Sequence, residues 1–194
     1  MAEYTDQRFE HSDATDKRMH KCTFSDCTFV QCKFVHTELY ACKFVDCTFE
    51  KCTFDDPSFL YTSMQNCVFD ECALSGISWA DLTNDSKLFC SNPVSKLTNC
   101  SLRYNTFVRV KWRNFDFSTC SFKRCVFDQC DLSGADFSTC KMGESEFEGC
   151  NLQKSDFREA TGWLLDIRRN QVKHAKFSIA DAALLLTAYD LDLS

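Results

Sequence analysis

A five-residue period dominates this sequence and limits the folds that it can adopt. Residues 21–34 read KCTFSDCTFVQCKF, in which cysteine is followed two positions later by phenylalanine and the pair recurs at five-residue intervals. Apolar positions recur at about 3.6 residues in an amphipathic helix and at about 2 in a half-buried strand. A period of five fits neither element, so the chain must turn after each short segment.

The large apolar residue at the centre of each unit recurs along most of the chain. It appears every fifth residue from Phe9 to Trp79 and again from Leu97 to Phe157, with a weaker continuation to Phe177. Of the 19 phenylalanines, 17 occupy this central position, and 14 of the 15 cysteines lie two residues before it. One large and one small side chain in every five therefore point inward.

A unit of five residues is too short to bury its own phenylalanine. Neighbouring units must therefore stack and share one core, as the repeats of a solenoid do. Successive turns of such a coil lie about 4.8 Å apart, the spacing of hydrogen-bonded strands. The phenylalanines then fill the axis, and the cysteines, which behave as small buried apolar residues, fill the space between the rings.

The cysteines have several possible uses, which their spacing separates. The N-terminus, MAEYTDQRFEHSD, is too polar for a signal peptide, and no apolar run approaches the roughly 18 residues of a membrane span. We therefore expect a cytoplasmic protein without membrane association, in which thiols stay reduced. The spacing lacks the paired ligands of a zinc site, so we expect no metal and no cofactor. Disulfides between cysteines four units apart, such as Cys27 and Cys47, stay open as an alternative.

The sequence gives no indication of an enzyme. It contains no glycine-rich phosphate-binding loop, no G-x-S-x-G motif and no histidine clustered with a nucleophile. The inward cysteines have no basic neighbour to activate them, and we expect them to be inert. We therefore expect a protein that is not an enzyme.

The motif small-x-Leu/Phe-x-x, sustained over residues 7–179, resembles that of the pentapeptide-repeat proteins. The resemblance implies an all-β fold, a right-handed quadrilateral β-helix with four pentapeptides in each coil. With 15 units before a break in the register and 17 after it, about eight coils are expected. We divide the chain into a β-helix over residues 1–178 and a C-terminal helix and tail over residues 179–194.

The break in register covers about residues 82–94, which read LTNDSKLFCSNPV. A regular array does not need these 13 extra residues, so we predict a loop or bulge extruded from the coil. A tolerated insertion without a role is the alternative. If the break contacts a partner, Lys87, Leu88 and Phe89 are the candidate residues.

The C-terminus reads SIADAALLLTAYDLDLS. Ser178 and Asp181 are typical of a helix N-terminus, because each side chain can accept a hydrogen bond from the other residue's N–H. This predicts a helix from Ser178 to about Tyr189. The end of a solenoid exposes apolar core that must be covered, either by the chain itself or, as we favour, by a homodimer interface. The interface residues would be Ile179, Ala182, Ala183, Leu186, Tyr189 and Leu191.

These two segments are similar to those of the Qnr and McbG topoisomerase-protection proteins. The stretch FCSNPVSKLTNCSLRYNTF carries the resemblance at the break, and LLDIRR followed by ADAALLL carries it at the C-terminus. The resemblance implies a dimeric, DNA-mimicking rod that binds bacterial DNA gyrase, and often topoisomerase IV. Such a protein would act in antibiotic resistance or immunity, protecting the enzyme from quinolones or peptide-like toxins.

Acidic residues 20 positions apart would align in columns along a coil of four pentapeptides. Like charges on neighbouring strands are destabilising, so repeated columns favour a use for the negative potential, with an ordinary solvated face as the alternative. The candidate partner-binding residues are Asp116, Asp136, Asp156, Asp128, Glu148, Glu50 and Asp70. The net charge of −6 argues against direct binding to nucleic acid, although a basic island lies between Arg103 and Arg124.

Three classes of function stay open. The first is a topoisomerase-binding DNA mimic. The second is a scaffolding repeat protein that binds another protein partner and has no effect on a topoisomerase. The third, a thiol-rich metal or redox protein, is the weakest, because the five-residue spacing suits core packing better than ligation.

Overall fold

The structure, a computed structural model, describes residues 2–82 and 92–186, and for residues 182–184 it describes the backbone alone. The chain divides into two compact units, an N-terminal unit, Met1–Thr106, and a C-terminal unit, Phe107–Ser194. Short parallel strands make up most of both. Among the described residues, no helix is long and apolar enough to cross a membrane.

In the described part of the N-terminal unit, sixteen strands precede the boundary and a 3₁₀ helix lies at Trp79–Leu82. The strands are β1 (Ala2–Thr5), β2 (Arg8–Glu10), β3 (Arg18–His20), β4 (Cys22–Ser25), β5 (Thr28–Val30), β6 (Lys33–Val35), β7 (Glu38–Tyr40), β8 (Lys43–Val45), β9 (Thr48–Glu50), β10 (Thr53–Asp55), β11 (Ser58–Leu60), β12 (Ser63–Gln65), β13 (Cys67–Asp70), β14 (Ala73–Ser75), β15 (Val94–Thr98) and β16 (Ser101–Arg103).

Most strands of the N-terminal unit pair in parallel with the strand four places further along the chain. The four sides of the coil are β1-β4-β8-β12, β2-β5-β9-β13-β15, β3-β7-β11 and β6-β10-β14-β16. In the register of β4 and β8, Phe24 lies beside Phe44. In the register of β5 and β9, Phe29 lies beside Phe49. One turn therefore takes four pentapeptides, as predicted.

The C-terminal unit keeps the same register, with a sequence offset of 20 per turn, but has fewer formal strands. β17 (Thr106–Val108) starts at the boundary, and β18 (Ser121–Lys123), β19 (Val126–Asp128), β20 (Lys141–Glu148), β21 (Thr161–Leu165) and helix α1 (Ile179–Leu186) follow. These strands form two sides of the coil. The other two sides are ladders of isolated bridges, Lys111–Asp131–Asn151–Gln171 and Asp116–Asp136–Asp156–Lys176. The predicted fold class, a right-handed quadrilateral β-helix with a short C-terminal α-helix, is confirmed.

Aromatic rings fill the centre of both units, as the repeat predicts. In the N-terminal unit the rings of Phe29 and Phe49 stack with centroids 4.9 Å apart, and Phe49 stacks on Phe69 at 4.8 Å. In the C-terminal unit Phe117 stacks on Phe137 at 4.8 Å. Rings on neighbouring sides meet edge to face, a geometry that aromatic pairs favour. The core is therefore a set of parallel aromatic stacks.

The cysteines do more than fill space. All 14 described cysteines are free thiols, and all but Cys22 are buried. The Cys72 thiol donates to the Phe49 carbonyl, 3.3 Å away, in the coil below, and Thr62 and Asn170 donate in the same way from equivalent positions. Burial raises the pKa of Cys47 to about 11 and of Cys140 to about 12, so these thiols keep the proton that they donate.

The break adds less to the coil than the sequence suggested. Leu74 pairs with Leu102, and the offset of 28 between neighbouring turns here replaces the regular offset of 20, so this turn is eight positions longer. The count of 13 extra residues was therefore too high. Leu82 and Val94, the predicted ends of the break, are both fully buried. They belong to the packed coil because part of the segment completes a regular unit.

The C-terminal helix begins as predicted. The backbone N–H of Ser178 donates to the Asp181 carboxylate at 3.2 Å, and the Asp181 N–H donates to the Ser178 hydroxyl at 3.3 Å. This reciprocal pair satisfies N–H groups that have no partner within the helix. α1 is described to Leu186, and residues 187–194 lie outside the described part of the chain.

Candidate partner-binding surfaces

The acidic column predicted from the sequence spacing is present in the C-terminal unit. Asp116 lies beside Asp136, and Asp136 beside Asp156, on one side of the coil. We call these three residues the acidic ladder. Each precedes a buried central phenylalanine, so its side chain points away from the core.

The ladder carboxylates have a structural task that the sequence analysis missed. Asp116 accepts a hydrogen bond from the N–H of Ser118 at 2.9 Å, and Asp136 accepts one from the N–H of Ser138 at 2.8 Å. Such bonds to the N–H two residues ahead are typical of Asx turns. The repeated D-x-S motif at both places was the signal. Each carboxylate is therefore held in a fixed direction by the turn that follows it.

The third member of the ladder differs in its charge environment. Asp156 is 8% exposed and binds the guanidinium of Arg158 at 2.7 Å and the Lys176 amine at 3.1 Å. The hydrogen bonds from Arg158, and then that from Lys176, hold the pKa of Asp156 well below its usual range. Asp116 and Asp136 make no ion pair in the described part of the chain. The negative potential of the ladder therefore comes mainly from Asp116 and Asp136.

The other predicted acidic pairs also align, but on other sides of the coil. Asp128 in β19 lies beside Glu148 in β20, and Glu148 forms an ion pair with Arg169 at 3.1 Å. In the N-terminal unit, Glu50 in β9 lies beside Asp70 in β13. The residues therefore form separate columns and not one cluster.

Two of the six residues of the basic island face carboxylates of the coil above it. Arg113 pairs with Asp131 at 2.6 Å, and Arg124 pairs with Glu144 at 2.9 Å. The island includes Arg103, Arg109, Lys111, Arg113, Lys123 and Arg124. The charges of Arg113 and Arg124 are therefore offset by carboxylates of the next turn.

An exposed apolar surface in the N-terminal unit was also missed. The rings of His20 and Tyr40 stack at 4.8 Å, and Tyr61 meets Tyr40 edge to face at 5.5 Å. Leu60 is 55% exposed and Tyr61 is 82% exposed. We call His20, Tyr40, Leu60 and Tyr61 the aromatic strip. The equal spacing of His20, Tyr40 and Leu60, four pentapeptides apart, was the available signal.

The remaining predicted residues are only partly described. Lys87, Leu88 and Phe89 in the break, and Tyr189 and Leu191 in the tail, lie outside the described residues. Ala182 and Ala183 lie in α1, with only their backbone described. Ile179 is 95% exposed and Leu186 is 37% exposed, so α1 presents apolar side chains at its surface.

Residues 2–82 and 92–186 contain no group of three or more His, Cys, Asp or Glu side chains placed to hold a metal ion. The functional features that they do contain are surfaces, namely the acidic ladder, the aromatic strip and the exposed residues of α1. Such surfaces suit recognition of another macromolecule.

Comparisons with known proteins agree with this architecture. The pattern of the pentapeptide repeat region matches residues 22–93 and 120–183, and that of pentapeptide repeats in eight copies matches residues 95–138. A search of curated protein sequences finds no significant match.

Two of the solved structures that align with this chain are those of QnrB1 and HetL. A trypsin-treated variant of QnrB1, described as a plasmid-mediated fluoroquinolone resistance protein, aligns with 100% of this chain and 97% of its own, at 18% identity and a TM-score of 0.52. HetL from the cyanobacterium Nostoc, involved in regulating heterocyst differentiation, aligns with 90% of this chain and 84% of its own, at 13% identity and a TM-score of 0.37.

Proposed function

We propose, from the premise that this chain belongs to the pentapeptide-repeat family, that it binds bacterial DNA gyrase as an acidic DNA mimic. Bound there, it protects the enzyme from quinolones or peptide-like toxins, and topoisomerase IV is a second target of the same kind. In this role the protein acts by binding and not as an enzyme.

The acidic ladder is the observation that carries this proposal. Asp116 and Asp136 are aligned, free of ion pairs within the described residues and fixed by hydrogen bonds to Ser118 and Ser138. A carboxylate that is already oriented loses little side-chain freedom when it meets a basic surface. The likeness to QnrB1 supports the fold, and the resemblance of the break and tail to Qnr and McbG proteins supports the choice of partner.

Charge density sets how many columns such a mimic needs. Duplex DNA carries one negative charge per about 1.7 Å of its axis. A single column on a coil offers one charge per about 4.8 Å, which is about a third of that density. Asp128 and Glu148 form a second column in the same unit, although Arg169 offsets Glu148. The mimic therefore uses more than one side of the coil.

Gyrase cleavage complexes provide the direct test. Purified gyrase with a fluoroquinolone or a peptide-like toxin is titrated with the parent protein and with the double variant Asp116→Asn, Asp136→Asn. Asparagine keeps an oxygen for the turn, so the variant loses charge and keeps the fold. Protection by the parent should weaken in the variant and fall as salt rises.

A matched control separates local charge from net charge. The double variant Asp26→Asn, Asp46→Asn changes the net charge by the same amount in the N-terminal unit. It should protect as the parent does. If both double variants lose protection equally, the ladder is not the contact. If the parent protects against no poison at any concentration, the scaffolding function becomes the better proposal.

The same proposal includes a homodimer formed through α1. Leu186→Asp places a charge in the proposed apolar interface, which is unfavourable without a partner charge. In sedimentation velocity the parent should be a dimer and the variant a monomer. Leu164→Asp alters another exposed leucine of the C-terminal unit and should stay dimeric. A monomeric parent would refute the dimer without affecting the ladder.

A further inference from the structure

One side of the N-terminal unit ends in an open strand edge. β11 pairs with β7 only, and β7 pairs with β3, so β11 is the last strand of its sheet among the described residues. The next segment on this side, Ser78, bridges to Thr106 and not to β11, and the chain then forms the 3₁₀ helix Trp79–Leu82. The ladder on this side therefore stops at β11.

The interruption leaves backbone groups at the two ends of β11 without hydrogen-bond partners in the part of the chain that the structure describes. At the equivalent corner of another side, the Asp46 N–H donates to the Gln65 carbonyl of the next coil at 2.9 Å. The corresponding group here is the Tyr61 N–H, and the corresponding acceptor for a following strand is the Pro57 carbonyl. Neither has a hydrogen-bond partner among the described residues. A strand edge of this kind is a template for pairing with another chain.

A groove of about 850 Å³ runs along this edge. Its walls include Pro57, Leu60 and Tyr61 on one flank and Gly76, Ser78 and Asp81 on the other. Leu60 and Tyr61 also belong to the aromatic strip and are both exposed, so an apolar surface continues from the groove onto the outer face. Exposed tyrosines beside a groove are frequent anchors of protein interfaces.

We propose that the β11 edge and the aromatic strip form a docking surface for an extended segment of a partner protein. The segment adds a strand to β11 through its main chain and places an apolar side chain on Leu60 and Tyr61, as in other cases of strand addition. This goes beyond the proposed function, because it requires no topoisomerase.

The charge of the groove selects among such segments. Asp81 is exposed in its wall, and no lysine, arginine or histidine lines it among the described residues. Next to the groove, the Asp56 carboxylate lies behind the lining residue Gly76, 3.2 Å from where a Cβ on that glycine would be. The matching segment is therefore apolar at alternate positions and carries a lysine or an arginine.

Binding of a synthetic peptide tests this directly. The probe is a labelled nonapeptide that alternates valine and threonine and ends in lysine, and the control peptide has the same sequence with N-methyl groups on alternate amides. Fluorescence anisotropy should show saturable binding of the first peptide and about tenfold weaker binding of the second, since N-methylation removes main-chain donors. Hydrogen exchange at the Tyr61 amide should slow when the first peptide binds.

Two tyrosines provide a matched pair of variants. Tyr61 and Tyr104 occupy equivalent corner positions with φ of 54° and 55°, and both are exposed, but only Tyr61 lies at the groove. Tyr61→Ser should weaken peptide binding by about tenfold. Tyr104→Ser should leave it unchanged. Equal losses in both variants, or equal binding of both peptides, would overturn the proposal.

Two other occupants would give different results. If a second copy of the chain fills the groove, Tyr61→Ser lowers self-association in sedimentation and the peptide does not bind. If residues 83–91 fill it, replacing them with a glycine–serine linker of equal length exposes the Tyr61 amide to exchange in the free protein. Either result would overturn docking of a partner segment. Because no topoisomerase is present, failure here leaves the proposed function untouched.

Discussion

The two units of the molecule build the same coil with different turns. Most corner residues of both units have a positive φ, but in the N-terminal unit three residues around the centre of most repeats form a strand. In the described C-terminal unit six turns close with a hydrogen bond from the small residue to the preceding central carbonyl, for example Cys140 N–H to Phe137 at 3.0 Å. The described N-terminal unit has one such turn, Ala14–Lys17.

This difference in turns explains why the acidic ladder occurs in the C-terminal unit. A closed turn uses the central carbonyl that would otherwise accept a hydrogen bond from the next coil, so an N–H of the next coil needs another acceptor. With the Phe117 carbonyl used in this way, the Ser138 N–H of the next coil donates to Asp136. In five of the six C-terminal turns the N–H after the central residue donates to the side chain before that residue, which is Asp116, Asp131, Asp136, Asn151 or Asp156. Asp13 does the same for Thr15 in the N-terminal unit. The acidic ladder is therefore a product of turn geometry before it is a recognition surface.

Replacing a central phenylalanine should have the largest effect on stability, and this effect should be the same in both units. Phe49 and Phe137 are both fully buried in equivalent stacks. Replacing either by alanine should lower the free energy of unfolding by about 3–5 kcal/mol. Urea titration followed by far-UV circular dichroism measures it. A much smaller loss in one unit would mean that the two cores are not equivalent.

Removing a turn acceptor should separate the units. Asp136→Ala leaves the Ser138 N–H without its acceptor and should lower stability by about 1 kcal/mol. Asp136→Asn keeps the oxygen and should lower it much less. Asp70→Ala, in the N-terminal unit, removes an acid from a strand and not from a closed turn. If Asp70→Ala and Asp136→Ala proved equally destabilising in urea, the turn argument would be wrong.

The pH dependence of stability should sharpen the comparison further. Arg158 and Lys176 depress the folded-state pKa of Asp156, so its contribution is fully present above the unfolded pKa of about 3.9. That contribution is lost as the pH falls toward the lower folded-state pKa. Urea titrations between pH 2 and 7 should therefore show a loss of stability below about pH 4 that Asp156→Asn reduces. An unchanged slope in the variant would contradict the assignment.

Thiol labelling should show the smallest difference between the units. Burial raises the pKa of Cys67 in the N-terminal unit and of Cys140 in the C-terminal unit to about 12. The thiolate is the reactive form, so both should resist a disulfide reagent in the folded protein at pH 8. Half-buried Cys22 should react faster. Mass spectrometry of the labelled peptides measures this, and rapid labelling of Cys140 would revive the redox class of function.

The sequence predicted the coil because the apolar side chains that recur every five residues are the side chains that form the core. Phe24 and Phe44 had to stack once four units made a turn, and Asp116 and Asp136 had to align for the same reason. The length of the break could not be read correctly, because a residue count does not show which residues complete a regular unit. The register of Leu74 with Leu102 does show it.

The environment of each site was harder to predict. The column of aspartates was visible in the sequence, but the ion pairs that neutralise Asp156 depend on which side chains the turns bring together. The aromatic strip was overlooked because outward positions carry little of the periodic signal. Leu60 and Tyr61 become notable only when the ladder beside β11 is seen to stop.

Each turn of the coil takes a fixed number of pentapeptides. The number of residues inserted into the chain therefore determines how far later side chains rotate around the coil axis. Inserting one whole turn between Asp116 and Asp136 would lengthen the stack and leave every later side chain facing its original direction. Inserting a single pentapeptide there would rotate Asp136 by a quarter turn onto the adjacent side. The added segment at the break causes no such rotation, since Leu102 still lies above Leu74. An insertion in this chain therefore preserves the direction of later side chains if it keeps their units on the same sides of the coil, and changes that direction if it does not.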